Sequence, residues 1–501
     1  EVVGPRLRGV LDMLDPPVVF ARSADPFLEN FAFDHAIRAM LPSQVEEWWE
    51  RHQLAGKITV TKFKYAPSGK KGVEDDFYVE VELDHVRLAI LPEELMGQRE
   101  FEKLRQYRPG FGINGLADIG VVGRIADFER VVQPGPIALR NVSGRFVFTP
   151  NRIRFSNVTG KIVNNSVTLS GSVEGYTPEA AMAVYIVAND ILIPTAPRYV
   201  GSLPREVRTL YSEFKPAGRG ALALELIRTE KFGDLKTSLE LNVLDGAFTF
   251  HEFAYPLQHA TGSVRFGRDP VTGRERIDLV KIRGFGVEGS ANATKAVEVN
   301  GFISPINRYS AVSLSVKAPD VWIDPNLRSA LPSEAQEAVA FFDGLRDKEG
   351  NVIPLRAHGS FDARVNRPYG LRKKVIVDVD INIDKGDGAY TEFAYPLHEA
   401  KGKIFVRPNS VEIKNFTARN GPARLAIDGR VTFGKNLPTV PDLKVVIRDG
   451  LIDEDLRMAM PEDERKWLDK IGVGGKLDAD GRIFGISRIE DPKKANVEWE
   501  F

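Results

Sequence analysis

The stretch that decides the fold runs from Phe393 to Val431 and reads FAYPLHEAKGKIFVRPNSVEIKNFTARNGPARLAIDGRV. Its first five residues recur unchanged at 253–257. In both copies a glycine follows the leucine by five positions (402 − 397 and 262 − 257), and Leu139 with Gly144 repeats that spacing. A repeated unit determines the architecture of a chain, so it has to be recognised before any single element. The chain is therefore predicted to contain several copies of one structural unit.

Apolar and polar residues alternate along most of the chain. From 375 to 383 the odd positions are all valine or isoleucine, and leucine or valine alternates in the same way at 222–226 and 239–243. A period of two is typical of a strand with one apolar face and one solvated face. Further strands are predicted at 77–83, 312–316 and 443–447.

Pairs of aspartate or asparagine with glycine are the predicted turns between these strands. Such pairs adopt the positive φ angles that tight hairpin turns need. Successive strands joined by hairpins form a meander, so the sequence predicts an antiparallel sheet. The predicted turns are Asp245-Gly246, Asp387-Gly388, Asn420-Gly421 and Asp428-Gly429.

A short amphipathic helix led by proline is the second repeated element. Proline suits the first turn of a helix because its missing N–H would have no partner there. The last two gaps between these prolines are 128 and 129 residues (332 − 204 and 461 − 332), which indicates duplication of a large unit. Leu210, Phe214 and Trp467 are predicted to be buried. One of Trp48 and Trp49 is expected to pack under the sheet, with a membrane-facing tryptophan as the alternative. The leading prolines are Pro42, Pro92, Pro204, Pro332 and Pro461.

The composition narrows the classes of function. The 501 residues include 68 Lys and Arg and 69 Asp and Glu, which gives a formal net charge of −1. This balance argues against nucleic acid as the main partner, because such binding needs a concentrated basic surface. Cysteine is absent, which excludes disulfides, thiolate metal sites and a cysteine nucleophile.

There is no run of about 18 apolar residues to predict a membrane span. Since the chain starts with Glu1, without a leader, we expect a segment of a longer polypeptide.

The sequence contains no motif that predicts catalysis. Gly110 to Gly115 match GxGxxG, but a helical pattern precedes them instead of a strand, so a turn is expected there and not a dinucleotide site. His251, Glu252 and His259 lack the HExxH spacing that places two zinc ligands on one face of a helix. No pair of carboxylates stands out as an acid and a base. The chain is predicted not to be an enzyme and to hold no cofactor or metal.

The repeated unit resembles the repeats of the AsmA-like proteins of the bacterial envelope. The resemblance rests on the order of Phe-Ala-Tyr-Pro-Leu, glycine, alternating strand, Asn-Phe-Thr-Ala and Ala-Arg-Leu-Ala-Ile-Asp-Gly within 393–431, and more weakly on 253–289 and 136–173. It implies an elongated, repeat-built antiparallel β-sheet curled into a groove, with an apolar interior that carries lipid between membranes. It also implies a place in the periplasm, a part in outer-membrane biogenesis, and an inner-membrane anchor outside this segment.

The predicted fold is thus mainly β with short helices, a curled β-groove with proline-led amphipathic helices between the repeats. Its units are expected at 1–84 (partial), 85–190, 191–318, 319–448 and 449–501 (truncated). The expected function is non-enzymatic binding and transfer of phospholipid or another acyl-chain lipid, with no nucleic acid partner. The alternative is a structural or adaptor repeat protein of the envelope with a closed, dry β core. The residues expected to line the groove are Leu222, Leu224, Leu226, Leu239, Leu241, Val243, Val375, Val377, Val379 and Ile381.

Overall fold

The computed structural model describes most of the chain from residue 42 onward and three short pieces before it. The GxGxxG stretch at 110–115, Leu210, and His251 with Glu252 lie outside the described residues, and so does the side chain of Trp467. The described residues are 6–7, 19–21, 28–32, 42–66, 68, 76–98, 101–102, 134–203, 207–208, 211, 214–250, 253–306, 309–331, 336, 339–340, 342–347, 349–371, 373–391, 393–434, 437–460, 462–485 and 496–500.

Strands dominate the described residues, and the helices among them are short, which confirms the predicted class. The strands are β1 (Arg6–Leu7), β2 (Val19–Ala21), β3 (Leu28–Ala32), β4 (Ala55–Ala66), β5 (Asp76–Ile90), β6 (Ile137–Thr149), β7 (Arg152–Ile162), β8 (Asn165–Glu174), β9 (Ala181–Leu192), β10 (Ala217–Arg228), β11 (Lys236–Phe250), β12 (Phe253–Arg268), β13 (Glu275–Phe285), β14 (Ala296–Ser304), β15 (Ala311–Trp322), β16 (Arg356–Arg367), β17 (Ile376–Tyr390), β18 (Phe393–Arg407), β19 (Ser410–Asn420), β20 (Ala423–Gly434), β21 (Leu437–Leu451), β22 (Lys476–Phe484) and β23 (Asn496–Glu500). The helices are α1 (Ser43–Arg51), α2 (Pro92–Met96), α3 (Pro197–Val200), α4 (Pro325–Ala330), α5 (Glu454–Ala459) and α6 (Glu462–Ile471).

The chain packs into two compact units. Unit 1 comprises Glu1–Gly246, Thr261–Asp278 and Ile306–Arg308, and unit 2 comprises Ala247–Ala260, Leu279–Pro305 and Tyr309–Phe501. In unit 1 each strand from β4 to β9 pairs antiparallel with the next strand in sequence. In unit 2 the same holds from β14 to β22. Both units therefore contain the predicted antiparallel meander, and the finer division into five units stays a prediction.

The repeat is visible in the backbone as well as in the sequence. Two positions after the repeated leucine, Asn141, His259 and Glu399 have φ angles of 51°, 48° and 51°. Residues other than glycine seldom adopt this left-handed region. In the copies that hold Asn141 and Glu399, the pairing with the next strand shifts register at this point, as it does at a β-bulge. Each copy therefore repeats a backbone distortion together with its sequence.

A second bulge lies on the strand that follows, and the strand after it closes the bulge with a side chain. The N–H of Asn415 in β19 donates to Oδ1 of Asp428 in β20 over 2.6 Å. Asn415 has a φ of 51°, and the acceptor Asp428 comes directly before a glycine. The same bond is made by the N–H of Asn157 to Oγ of Ser170 over 3.0 Å and by the N–H of Lys281 to Oδ1 of Asn300 over 2.7 Å.

Three of the four predicted turns are wrong because the pairs lie inside strands, and Asp428 closes a bulge instead. Asp428-Gly429 lies inside β20, and Asp245-Gly246 and Asp387-Gly388 lie inside β11 and β17. Gly429 has a φ of 145°, and a Cβ built on it would lie 2.1 Å from the carbonyl oxygen of Asp442 in β21. Glycine permits this close approach of two strands. Gly429 is therefore needed within the strand, and Asp428-Gly429 is not a turn. Of the four pairs, Asn420-Gly421 alone is a turn, between β19 and β20.

The helices after Pro42 and Pro92 agree with the prediction, and Pro461 lies outside the described residues. α1 starts after Pro42, which is the N-cap residue, and α2 starts at Pro92 itself. α6 starts at Glu462, while Pro204 and Pro332 lie outside the described residues. Phe214 is buried as predicted.

Two short helices that the sequence pattern does not predict, α4 and α5, belong to the repeat. Oδ1 of Asp324 accepts a hydrogen bond from the N–H of Leu327 over 2.8 Å, and Oδ1 of Asp453 accepts one from the N–H of Leu456 over 3.0 Å. Aspartate at this position satisfies an N–H that a helix leaves without an internal partner. The two aspartates are 129 residues apart (453 − 324), the spacing of the duplicated unit.

Candidate functional site

The strands of unit 2 place continuous rows of apolar side chains across the sheet. Residues paired in register on neighbouring strands lie on the same face. One row from β15 to β22 contains Ala318, Phe361, Ile381, Ile404, Ile413, Gly429, Leu443 and Ile483. The next row on the same face contains Val316, Ala363, Val379, Val406, Val411, Val431 and Pro441. We call these two rows the apolar face.

The opposite face of the same strands is charged. Arg430 pairs with Glu412 over 3.4 Å, and Nε of Arg482 lies 3.0 Å from Oδ1 of Asp442. A shift of one residue along a strand turns the side chain to the other face, so the row one residue away lies opposite the apolar face and is charged apart from Phe405 and Phe484. The row on this opposite face contains Lys317, Asp362, Asp380, Phe405, Glu412, Arg430, Asp442 and Phe484.

The side of the sheet that carries the apolar face is covered toward one end of the strands and half-buried toward the other. On β19, Phe416 and Ala418 are 8% and 2% exposed, whereas Val411 and Ile413 are half-buried. The covered end is where α5 contacts β18, and where Leu327 of α4 packs in a buried cluster around Ala318. The short helices therefore cover one end of the strands and leave the valines and isoleucines of the apolar face partly accessible.

Unit 1 contains an apolar row that is buried on β4 to β6, beside a helix, while Phe155 and Val184 further along it are half-buried. Trp48 and Trp49 of α1 are both buried, and their rings lie 5.4 Å and 6.0 Å from the ring of Phe148 in β6. His52 stacks on Trp48 at 4.1 Å, and its Nε2 lies 3.0 Å from Oε1 of Glu94. The prediction that a tryptophan packs under the sheet is confirmed for both. The row that crosses β4 to β10 contains Val60, Val81, Phe146, Phe155, Gly171, Val184 and Leu226.

The ten residues predicted to line the groove divide between the two units and differ in exposure. Val377, Val379 and Ile381 lie on β17, and the last two belong to the apolar face. Val375 is 47% exposed because it lies before β17 begins, in the hairpin that precedes the strand. In unit 1 the buried ones are Leu224, Leu226 and Leu239. The half-buried ones are Leu222, Leu241, Val243, Val377, Val379 and Ile381.

The repeated Phe-Ala-Tyr-Pro-Leu motif lies at the covered end of the strands. Tyr255 packs with residues of α4, and burial together with Asp324 raises the pKa of its hydroxyl to about 12. Burial, together with the nearby Asp453, also raises the pKa of Tyr395 in the other copy. Both hydroxyls therefore stay neutral at physiological pH, as suits groups packed beside a helix N-cap. The motif is therefore a packing element.

Comparison with models of protein families, with curated proteins and with solved structures finds no match to this chain. The likeness to AsmA-like repeats therefore stays a resemblance in the sequence.

The described residues form no group of His, Asp and Glu side chains that could hold a metal ion. His259 lies in β12, while His251 and Glu252 are outside the described part of the chain. Among the described helices, none is long and apolar enough to cross a membrane.

Most residues of the apolar face were not among the ten predicted to line a groove. Ile404, Ile413, Leu443 and Ile483 each follow or precede a charged residue, so the alternation was present in the sequence. Alternation gives the two faces of one strand, but the register between strands decides which residues form a row. The bulge at Asn415 adds one residue to β19 and so shifts its register with β20. The alternation of apolar and polar residues does not predict this shift.

Proposed function

We propose that the protein binds phospholipid with its acyl chains against the apolar face and passes the lipid along the sheet between the membranes of a bacterial envelope. The observation that carries this proposal is the apolar face itself. It crosses β15 to β22 without a polar side chain and stays half-buried away from the helices. A contiguous accessible apolar surface of this kind is typical of a binding site. The resemblance to AsmA-like repeats supports the same function.

The dimensions of the apolar face suit an acyl chain. Strands spaced by about 4.8 Å place β15 and β22 roughly 34 Å apart along the row. The hydrocarbon core of a bilayer is about 30 Å thick and holds two chains end to end, so that one chain spans about 15 Å. Exposing a chain of about sixteen carbons to water costs about 12 kcal/mol, at about 0.8 kcal/mol for each CH₂. An apolar path across the strands removes most of that barrier.

Under this proposal the protein works in the periplasm, without catalysis and without a cofactor. Its partners are phospholipid and the membranes at one or both ends of the path. The same function makes the protein a contributor to outer-membrane biogenesis.

A structural or adaptor role with a closed, dry core is the second candidate, and unit 1 favours it. Val60, Val81 and Phe146 are 2%, 0% and 5% exposed, which leaves no room for a ligand beside them. The two candidates differ in what contacts the apolar face of unit 2. Lipid contacts it in the first candidate, and protein alone contacts it in the second.

Lipid extraction from the purified protein tests the proposal. We expect phospholipid to co-purify with the protein at one or more molecules per chain, detected by mass spectrometry of the extract and of the intact complex. Delipidated protein should take up a fluorescent phospholipid from solution. Protein that carries no lipid and takes up none would favour the structural role.

A further inference from the structure

The hairpin between β16 and β17 combines exposed apolar side chains with an excess of bases. Tyr369 and Leu371 are 47% and 55% exposed, and Val375 and Ile376 beside them are 47% and 40% exposed. From 365 to 377 the sequence is VNRPYGLRKKVIV, with four bases and no acid, in a chain whose net charge is −1. We call residues 368–375 the basic hairpin.

The elements packed against the basic hairpin add no acid. β15 places Val312 opposite Arg367 and Ser313 opposite Asn366. The N–H of Gly370 donates to the carbonyl oxygen of Tyr309 over 3.0 Å in the loop before β15. The described residues that pair with the ends of the hairpin are therefore not acidic.

We propose that the basic hairpin docks on the surface of an anionic lipid bilayer. Two contributions bind a protein segment to such a surface. Apolar side chains enter the interface, and basic side chains contact the anionic head groups. The exposed Lys373 and Lys374 have long aliphatic stems that can lie in the interface while their ammonium groups reach the phosphates. Tyrosine suits the same depth, since its ring is apolar and its hydroxyl is polar.

An acidic protein surface fits these observations less well than a bilayer. A stable protein interface uses roughly 20–30 residues on each side, and the hairpin offers eight (368 to 375). A bilayer needs no complementary shape and gains from each inserted side chain separately. This proposal does not depend on lipid transfer along the apolar face, because the hairpin residues 368–375 lie outside both of its rows.

Another hairpin of the chain supplies a matched control. Val271, between β12 and β13, is 90% exposed, but residues 268–276 around it contain two acids beside three bases. Asp269 accepts hydrogen bonds from the N–H groups of Val271 and Thr272 and forms an ion pair with Arg276 over 3.0 Å. This hairpin thus shares the exposed apolar tip of the basic hairpin but has an excess of only one base (three bases, two acids).

Sedimentation with vesicles tests the proposal on the whole 501-residue chain. Binding is expected to vesicles of phosphatidylcholine mixed with phosphatidylglycerol, to weaken at high salt, and to be much weaker on pure phosphatidylcholine. Each base near an anionic surface contributes a factor of about five, so the double variant Lys373→Glu, Lys374→Glu should weaken binding at least about 25-fold. Leu371→Ser should weaken it about tenfold.

Val271→Ser should leave vesicle binding unchanged, and all variants should keep the thermal unfolding curve of the parent because the altered side chains are exposed. Equal binding to neutral and anionic vesicles, no binding to either, or full binding by the double variant would overturn the proposal. A hairpin variant that loses vesicle binding but keeps its co-purified phospholipid would show that docking and lipid occupancy are separate properties.

Discussion

Gly429→Ala is expected to lower the free energy of unfolding by about 3–5 kcal/mol. The backbone of Gly429 has a φ of 145°, where a residue with a Cβ is strained. The new methyl group would also lie 2.1 Å from the carbonyl oxygen of Asp442 and 2.8 Å from Cα of Leu443, so β20 and β21 would have to separate. Overpacking of this kind adds to the strain. Urea denaturation followed by circular dichroism measures the change.

Gly421→Ala is the matched control for this prediction. Gly421 has a φ of 58° in the turn between β19 and β20, and nothing lies within 4 Å of its Cβ position. The control should therefore lose only about 1 kcal/mol, from the backbone alone. Equal losses for the two variants would mean that β20 and β21 do not approach closely at Gly429 and that the bulge closed by Asp428 is not a structural feature of the repeat.

Val379→Asp is expected to leave the protein folded and to reduce its bound phospholipid at least tenfold. Val379 is half-buried on the apolar face, between Ala363 and Val406. A carboxylate there can reach water, because the face is not sealed, but it cannot stay solvated beside an acyl chain. Lipid extraction gives the occupancy, and thermal unfolding shows whether the fold survives.

Thr417→Asp introduces the same charge on an exposed strand position and should change neither lipid content nor stability by much. Thr417 pairs with Lys401 and Ala426 and points away from the neighbouring Phe416, which is buried. If Val379→Asp unfolds the sheet instead, the core of unit 2 is closed and dry. If it folds and keeps its lipid, this face does not hold the acyl chains.

The strands were predictable from the sequence because alternation is a local property. The runs at 77–83, 312–316 and 443–447 lie within β5, β15 and β21, as predicted. The turns were less predictable. Asp428-Gly429 has the composition of a hairpin turn, but Asp428 closes a bulge in β19 and Gly429 lets β21 approach β20. The role of Asp428 depends on its hydrogen bond with Asn415, which lies thirteen positions earlier (428 − 415). Patterns within a short stretch of sequence do not reveal such a contact.

The exposure of the candidate site could not be predicted, because it depends on what covers each strand. Leu226 and Val379 lie in equally clean alternations, yet Leu226 is 1% exposed and Val379 is half-buried. The helices α4 and α5 are six residues each, too short to show a helical period. Asp324 followed by Pro325 was the available signal for a helix start, since aspartate caps a helix and proline suits its first turn.

Photo-crosslinking from two adjacent residues tests the central claim most directly. Ile404 lies on the apolar face and Phe405 on the charged face of the same strand, where Arg407 and Lys414 lie near its ring. With p-benzoylphenylalanine in place of Ile404, irradiation should attach phospholipid covalently to the protein, detected as a mass shift. With the same group in place of Phe405, little or no lipid should attach. Equal crosslinking from both positions, or none from Ile404 in protein that carries lipid, would contradict the account.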